Sequence, residues 1–148
     1  MPDEPSDPPP VDPARTARAV PEGLVLVPTP LGNLGDVSSR AVATLQAADL
    51  VLCEDTRVAR RLLAALGIGT ALAPLHEHNE DARTAQVLAR LGAGQRVALI
   101  SDAGTPLLSD PGYRLVRAAI AAGLPVGALP GPNAAVLALV LSGLPPLP

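Results

Sequence analysis

The sequence predicts an α/β domain in which a mostly parallel five-stranded sheet carries helices on both faces. From Leu24 onward, short apolar runs alternate with helical patterns, and this alternation is typical of parallel sheets. The apolar runs contain few polar residues, as strands do when helices cover both faces of a sheet. Aromatic residues make up only 1% of the chain and hydrophobic residues 48%, so Ala, Val, Leu and Ile must build the core.

The first half of this domain is predicted to contain three strands, each followed by a helix. In chain order they are a strand at 24–27, a helix at 38–48, a strand at 50–53, a helix at 56–66, a strand at 71–75 and a helix at 81–91. Ser38 suits the N-cap of the first helix, and Gly67 and Gly92 stand where glycine commonly ends a helix. Pro74 interrupts the third strand, and because proline cannot donate a ladder hydrogen bond, we expect this strand at an edge of the sheet.

The second half is predicted to contain two further strands, each again followed by a helix. They are a strand at 97–100, a helix at 111–122, a strand at 126–129 and a helix at 133–141. Asp110 is suited to cap the first of these helices and Pro111 to occupy its first position, while Gly123 ends it.

The sequence outside the folded domain has a different composition. Residues 1–22 are rich in proline and acidic side chains, which predicts a disordered tail. The domain itself is expected at 23–143, and residues 144–148 are expected to be a linker whose following domain is absent. No secretory signal is visible, and the longest apolar run near the end, 134–141, is too short for a bilayer. We therefore expect a cytoplasmic protein with no membrane partner.

Charge and cysteine content exclude several kinds of chemistry. All 11 basic residues are arginine, which excludes a lysine base or Schiff base. The net charge of −3 gives no global attraction to nucleic acid, although a local arginine cluster can still provide one. Cys53 is the single cysteine, so an internal disulfide and a CxxC site are excluded. It ends an apolar run and is predicted to be an inert core residue.

Loops rich in proline and glycine follow the first, fourth and fifth predicted strands. They are residues 28–33, 101–106 and 130–133. The carboxyl ends of parallel strands share one rim, and small residues there allow a ligand to approach the backbone. None of these loops has a G-x-G-x-x-G or P-loop pattern. Each alone resembles an ordinary turn, but the three together predict a ligand site at this rim.

The loop after the second strand adds charged side chains to the same rim. Glu54 and Asp55 come first, and either Asp55 or Thr56 is also suited to cap the following helix. Arg57, Arg60 and Arg61 are spaced i, i+3 and i+4, so they share one helical face. This face is either a solvated surface or a contact for phosphate groups.

Both histidines of the chain lie in H-E-H-N-E, residues 76–80, after the third strand. The i, i+2 spacing and the lack of a further His or Cys cluster argue against zinc, and no metal is expected. Proton transfer or substrate positioning by His76 and Glu77 is one interpretation, because histidine titrates near neutrality. An exposed polar turn is an equally good interpretation.

Five segments together carry a resemblance to a known family. They are V-P-T-P-L-G-N-L-G-D (27–36), L-C-E-D-T-R (52–57), H-E-H-N-E (76–80), S-D-A-G-T-P-L-L-S-D-P-G-Y-R-L-V (101–116) and P-G-P-N-A (130–134). Their order and spacing resemble the bacterial 16S ribosomal RNA cytidine 2′-O-methyltransferases of the tetrapyrrole-methylase superfamily. The resemblance runs from about Leu24 to the last residue.

The resemblance implies S-adenosylmethionine (SAM) as cofactor and methyl transfer to a ribose 2′-hydroxyl of a cytidine in 16S rRNA, within the small ribosomal subunit. By position, it implies cofactor contacts at Leu31, Asp102, Gly104, Thr105, Leu108, Asn133 and Ala134. Methyl transfer from a sulfonium is an in-line displacement that depends mainly on positioning. Candidates for a late-acting base are Glu54, Asp55, His76 and Glu77. The full-length form of the family is expected to be a homodimer.

The chain departs from the family pattern in sequence and in length. Asn133 stands where the family usually has serine, and an amide reaches its hydrogen-bond partners differently from a hydroxyl. Thr105 is usual in the RNA-modifying branch and supports the assignment. The family has a second α/β domain that completes the cofactor cleft, so two alternatives stay open. They are a catalytically inactive truncated domain and a methylase for a tetrapyrrole or another small substrate.

Overall fold

The computed structural model describes residues 20–108 and 111–145, and within them the chain forms one five-stranded sheet and five α-helices. In chain order the elements are β1 (Leu24–Leu26), a 3-10 helix (Leu34–Asp36), α1 (Ser39–Ala47), β2 (Leu50–Cys53), α2 (Thr56–Ala65), β3 (Leu72–Pro74), α3 (Glu80–Gly92), β4 (Val97–Leu99), α4 (Tyr113–Ala121), β5 (Val126–Ala128) and α5 (Ala134–Ser142). The strand order is β3-β2-β4-β1-β5, and every pair is parallel. The predicted α/β fold is confirmed.

The register of the sheet brings the three proline- and glycine-rich loops side by side. Leu26, near the end of β1, is paired with Leu99 of β4 on one side and with Ala128 of β5 on the other. Because all strands run in the same direction, the loops that follow β1, β4 and β5 leave the sheet at one rim. We call this edge, formed by the carboxyl ends of the strands, the rim.

Helices cover both faces of the sheet, as predicted. Successive strand residues point to opposite faces, so Val51 packs in a cluster with Leu45 of α1 and Leu63 of α2. Its neighbour Leu52 packs in a second cluster with Val87 of α3, and Leu115 of α4 lies in that cluster too. The core is therefore aliphatic and divided by the sheet into two layers.

Cys53 is a buried core residue, as the sequence predicts, with its Sγ atom 3.8 Å from the carbonyl oxygen of Ala73. Burial, with the nearby negative charges of Asp102 and Asp55 as smaller causes, raises the pKa of the Cys53 thiol from 9.0 to about 11. The thiol is therefore protonated near neutral pH and unsuited to act as a nucleophile.

The proline-containing strand β3 lies at an edge of the sheet, which confirms the prediction made from Pro74. Proline has no N–H group to offer a further strand. Its carbonyl oxygen accepts hydrogen bonds from Asn79 Nδ2 at 3.1 Å and Arg83 Nε at 3.2 Å. These contacts protect part of the open edge from pairing with another chain.

The ends of the helices agree with the sequence at most positions but not at the start of α4. Ser38 caps α1 through its Oγ, which accepts a hydrogen bond from the Ala41 N–H at 3.0 Å. The prediction that Pro111 begins α4 is wrong, because the helix starts at Tyr113 with Gly112 as its N-cap. Asp110, the predicted cap, lies outside the described residues.

The glycine that ends α3 also differs from the prediction. Gly92 is the last residue of the helix, and the left-handed conformation falls on Gly94, with φ of 80°. Most of the predicted tail, residues 1–19, and residues 146–148 of the predicted linker also lie outside the described part of the chain. Within the described part, none of the helices has the length and apolar character needed to cross a membrane.

Candidate functional site

The loops after β1 and β4 are joined by a pair of backbone hydrogen bonds at the rim. The N–H of Thr29 donates to the carbonyl oxygen of Gly104, and the N–H of Gly104 donates to that of Thr29, each at 3.0 Å. Thr29 is buried, and its Oγ1 donates to the carbonyl oxygen of Ser101 at 3.4 Å. This polar side chain therefore stabilises the loops rather than facing a ligand.

A second buried hydroxyl closes the loop after β4 on itself. Ser101 Oγ lies 3.0 Å from the carbonyl oxygen of Ala103 and 3.1 Å from that of Gly104. A hydroxyl has one proton to donate, and either carbonyl keeps the loop in a tight turn. The short run S-D-A-G therefore has a fixed backbone, with Asp102 exposed at its tip.

Gly104 is the position where all three loops meet. Its φ of 78° is the left-handed conformation that favours glycine. A Cβ atom there would lie 2.9 Å from Leu31 Cδ2 in the first loop and 3.4 Å from the carbonyl oxygen of Pro132 in the third. Thr105 Oγ1 donates to that same carbonyl at 2.8 Å. The backbone at Gly104 is thus packed against the first and third loops, and a side chain would push them apart.

The first and third loops also touch each other directly. A Cβ atom on Gly131 would collide with the ring of Pro28, so the two loops are packed as closely as glycine allows. Three chain segments distant in sequence therefore form one continuous surface. This arrangement supports the prediction of a shared rim.

Most of the predicted cofactor-contact residues lie on this surface. Leu31 and Leu108 are exposed, at 37% and 64%, and Asp102 and Ala134 are exposed too. A depression of about 420 Å³ is lined by Thr105, Leu129, Pro130, Gly131, Pro132, Asn133, Val136 and Leu137. Its size lies within the range of small-molecule sites, about 300–1,000 Å³.

Asn133 has a definite local role in addition to its place at the rim. Its Oδ1 accepts a hydrogen bond from the N–H of Val136 at 3.1 Å, which caps α5. Serine and asparagine are both favoured at an N-cap. The departure from the family's serine therefore preserves the start of the helix, and Asn133 also lines the depression.

Asp55 caps α2 and pairs with an arginine, as one interpretation of the sequence predicts. Its Oδ1 accepts from the Arg57 N–H at 2.9 Å, and its Oδ2 lies 3.1 Å from Arg57 Nη2. The Arg57 side chain thereby lowers the pKa of the Asp55 carboxyl below its usual 3.8, and Asp55 raises the pKa of Arg57. Glu54, Arg60 and Arg61 are exposed on the same loop and helix.

The 76–80 segment is folded around Asn79. Asn79 Oδ1 accepts a hydrogen bond from the His76 N–H at 2.9 Å, and the Asn79 N–H donates to the carbonyl oxygen of His76 at 3.0 Å. Glu77 and His78 are exposed and lie 3.4 Å apart between Oε1 and Nε2. His76 is only partly exposed, and within the described part of the chain its buried Nδ1 has no hydrogen-bond partner.

Across residues 20–108 and 111–145, no three His, Cys, Asp or Glu side chains are grouped closely enough to hold a metal ion. The 76–80 segment therefore offers proton-transfer and hydrogen-bonding groups. Of its two histidines, His76 has the partly buried side chain and hydrogen bonds from its backbone to Asn79, and His78 is exposed.

Glu80 is a residue that the sequence analysis missed. It is only 7% exposed, and its Oε1 accepts hydrogen bonds from the backbone N–H groups of Gly112 at 3.1 Å and Arg114 at 3.0 Å. The next residue, Asp81, pairs with the Arg114 guanidinium at 3.1 Å. The sequence contains one sign of this role. Gly112, the N-cap of α4, has no side chain that could accept the hydrogen bonds of the first turn, so another residue must do so.

Helix α5 presents a large apolar surface beside the rim. None of its residues is buried, and Val136, Leu137, Val140 and Leu141 are between 51% and 84% exposed. An exposed apolar patch of this kind marks an interaction surface more often than a solvated one.

The sequence profile described as Tetrapyrrole (Corrin/Porphyrin) Methylases matches residues 23–147. "Ribosomal RNA small subunit methyltransferase I" of Mesorhizobium japonicum is 55% identical over 129 residues, which are 87% of this chain and 44% of that protein. The protein of the same name from Escherichia coli O157:H7 is 53% identical over 122 residues, or 82% of this chain and 43% of the relative. The chain thus spans less than half the length of these relatives.

Two solved structures have the same fold. The crystal structure of uroporphyrin-III-C-methyltransferase from Thermus thermophilus is 29% identical, with a TM-score of 0.59, and the match covers 83% of this chain and 54% of that one. A cobalamin synthesis related protein from Corynebacterium diphtheriae is 18% identical, with a TM-score of 0.57 over 82% of this chain and 58% of that one. This second likeness concerns the fold alone.

Proposed function

This chain belongs to the tetrapyrrole (corrin/porphyrin) methylase family, and from that premise we propose that it takes part in SAM-dependent methylation of small-subunit ribosomal RNA. The acceptor we propose is a ribose 2′-hydroxyl of a cytidine in 16S rRNA. The observation that carries the proposal is the meeting of three loops at Gly104, combined with identities above 50% to relatives named as small-subunit rRNA methyltransferases.

The residues at the rim fit SAM. Gly104 provides bare backbone that a side chain would obstruct, and Leu31 and Leu108 provide exposed apolar contacts. Asp102 provides a carboxylate suited to a cationic or hydroxyl group, and the Asn133 amide nitrogen is a further donor. Thr105 and Ala134 complete the proposed set. When bound, SAM supplies an electrophilic methyl group on a sulfonium.

The chain's own contribution to the reaction is mainly to hold the reacting groups in line. The hydrogen bonds of Thr29, Ser101 and Thr105 fix the loop backbone before any ligand arrives. A preformed site reduces the entropy lost when two reactants are aligned. This rigidity favours a reaction that needs positioning more than strong acid–base chemistry.

The acceptor hydroxyl must lose its proton as the methyl group is transferred, and four side chains are candidates to accept it. Asp55 is the weakest of them, because Arg57 lowers its pKa and occupies both of its oxygens. Glu54 and Glu77 are exposed carboxylates, and His76 has a partly buried ring. We propose that the proton passes to one of these three groups or to solvent.

The proposed RNA contact is the exposed face of α2 formed by Arg57, Arg60 and Arg61. Arg57 forms an ion pair with Asp55, which partly neutralises its positive charge. Arg60 and Arg61 are therefore the stronger candidates for phosphate binding. Arginine offers a planar fork of donors that matches phosphate oxygens. We propose further that the RNA is met within the small ribosomal subunit in the cytoplasm.

We also propose that the full-length form is a homodimer. The exposed apolar surface of α5 supports this, because such a surface is stabilised when another part of the protein or a second protomer covers it. Analytical ultracentrifugation of the full-length protein tests the proposal. A monomer at micromolar concentration contradicts it.

The test of the function is a methylation assay with the full-length protein, isolated small ribosomal subunits and radiolabelled SAM. We expect label in 16S rRNA at a cytidine 2′-oxygen. A lower rate in His76→Asn, with the rate of the exposed-residue control His78→Asn unchanged, assigns the proton to His76 rather than to Glu54, Glu77 or solvent. Methylation of a tetrapyrrole instead of RNA contradicts the proposal.

The alternative of an inactive domain has its own test, which is calorimetry of the 148-residue chain with SAM. Micromolar binding excludes that alternative, and no heat at millimolar SAM supports it.

A further inference from the structure

The loop after β4 is held from two directions, and only one of them belongs to the rim. At its near end, the backbone pair between Thr29 and Gly104 and the Thr105 hydroxyl join it to the neighbouring loops. At its far end, Gly112 has φ of 127° and fits between two leucines. A Cβ atom there would lie 2.7 Å from Leu99 Cδ2 and 2.8 Å from Leu107 Cδ2.

Leu107 shows that the far end of this loop is under strain. Its φ of 74° is the left-handed conformation, which is costly for a residue with a Cβ atom. Such a conformation persists only where the surroundings impose it, and it is found most often at functional sites. Leu107 lies next to Leu108 and three residues after Gly104, so its conformation sets the course of the proposed cofactor loop.

Gly112 is held in turn by a side chain from another part of the fold. Glu80, at the start of α3, is buried, and its Oε1 accepts hydrogen bonds from the backbone N–H groups of both Gly112 and Arg114. A carboxylate in this position replaces the missing N-cap side chain of α4 and interacts favourably with the positive end of the helix. It therefore fixes Gly112, against which Leu107 is packed.

Glu80 is also the last residue of the 76–80 segment. The side chain of its neighbour Asn79 accepts a hydrogen bond from the His76 N–H and donates one to the Pro74 carbonyl oxygen. The same short segment thus carries a candidate proton acceptor at one end and supports the cofactor loop at the other.

We propose that Glu80 is a positioning residue, which holds the 101–108 loop in its SAM-binding shape through Gly112 and Leu107. This inference rests on the proposed function for its ligand, but the hold on the loop is independent of any ligand. We propose no direct contact of Glu80 with the cofactor or the substrate.

The test compares three variants of the full-length protein with the unaltered form. Glu80→Ala removes the acceptor, Glu80→Gln keeps an oxygen acceptor without the charge, and Asp81→Asn alters only the neighbouring exposed ion pair. Amide hydrogen exchange at residues 101–107 is measured without ligand, and SAM affinity is measured by calorimetry. Glu80→Asp, which keeps the charge but shortens the reach, replaces the alanine variant if that variant does not fold.

We expect Glu80→Ala to accelerate exchange in the loop and to weaken SAM binding by about tenfold or more, as expected for losing hydrogen bonds to a charged group. Glu80→Gln should restore most of both properties, and Asp81→Asn should match the unaltered protein. KM for RNA should change less than the dissociation constant for SAM, which a general loss of stability does not predict.

Two results overturn the inference. One is faster exchange confined to the start of α4, with loop exchange and SAM affinity unchanged in Glu80→Ala, because Glu80 is then only a helix cap. The other is an equal loss in Asp81→Asn. If the unaltered protein does not bind SAM, the proposed function fails instead, and the exchange data still decide whether Glu80 holds the loop.

Discussion

Replacing Gly104 with alanine perturbs the one residue at which the three rim loops meet. A residue with a Cβ atom pays roughly 1–2 kcal/mol to adopt the Gly104 φ of 78°. Alanine also makes the unfolded chain less flexible than glycine does, which offsets part of this cost. We therefore expect the free energy of unfolding to fall by about 1 kcal/mol. The added methyl group would lie 2.9 Å from Leu31 Cδ2, where about 3.5–4.0 Å is comfortable. The tip of Leu31 must therefore move.

The displacement of Leu31 affects the ligand surface more than stability. Leu31 is 37% exposed, so its side chain can turn toward solvent at little cost. That movement carries it into the space where we propose that SAM binds. We expect Gly104→Ala to weaken SAM binding by about tenfold or more, which corresponds to about 1.4 kcal/mol. Titration calorimetry on the full-length protein measures the affinity, and urea denaturation measures the stability.

Gly94→Ala is the matched control for this substitution. Gly94 has φ of 80°, and a Cβ atom on it would meet nothing within 4 Å. The backbone cost is therefore the same, but the residue lies beyond α3, away from the rim. Both variants should lose similar stability, and only Gly104→Ala should lose SAM affinity. Unchanged affinity in Gly104→Ala, or an equal loss in Gly94→Ala, refutes the reasoning.

Three further predictions concern a helix cap, a thiol and the proposed RNA surface. Asn133→Ala should cost about 1 kcal/mol in urea denaturation, and Asn133→Ser should restore it, because either side chain can cap α5; equal stabilities contradict this. At pH 8 the native Cys53 thiol should react with a disulfide reagent about 100-fold more slowly than in urea, since a pKa of about 11 instead of 9.0 leaves less thiolate. Equal labelling rates in the native and urea-unfolded protein contradict the assignment. Because folding raises this pKa from 9.0 to about 11, the free energy of unfolding should also fall as the pH rises above 9.0. Arg60→Gln should weaken RNA binding and reduce its salt slope by about one, whereas Arg117→Gln on α4 should not; equal effects contradict the proposed surface.

The sequence predicts the sheet well because its signals are local. The apolar runs, the proline in β3 and the serine before α1 each act on their own element, and the structure confirms all three. That the three loops share one rim also follows from the sequence, since parallel strands deliver their carboxyl ends to one edge. That they touch one another follows from the strand order β4-β1-β5, which was not predicted.

The start of α4 could not be predicted in the same way, because its cap comes from another helix. Pro111 and Asp110 carry a helix-start signature, yet the cap is supplied by Glu80, 32 residues away in sequence from Gly112. Single-sequence patterns contain no record of such a contact. The left-handed conformation of Leu107 is likewise imposed by packing, and nothing in the residue itself indicates it.

Binding of SAM by the rim loops is tested most directly by backbone NMR of the full-length protein during a SAM titration. We predict the largest shift changes at Leu31, Gly104, Thr105 and Asn133, with little change at Gly69 or Arg96 at the opposite end of the strands. Changes centred on that opposite end, or none at millimolar SAM, contradict the claim.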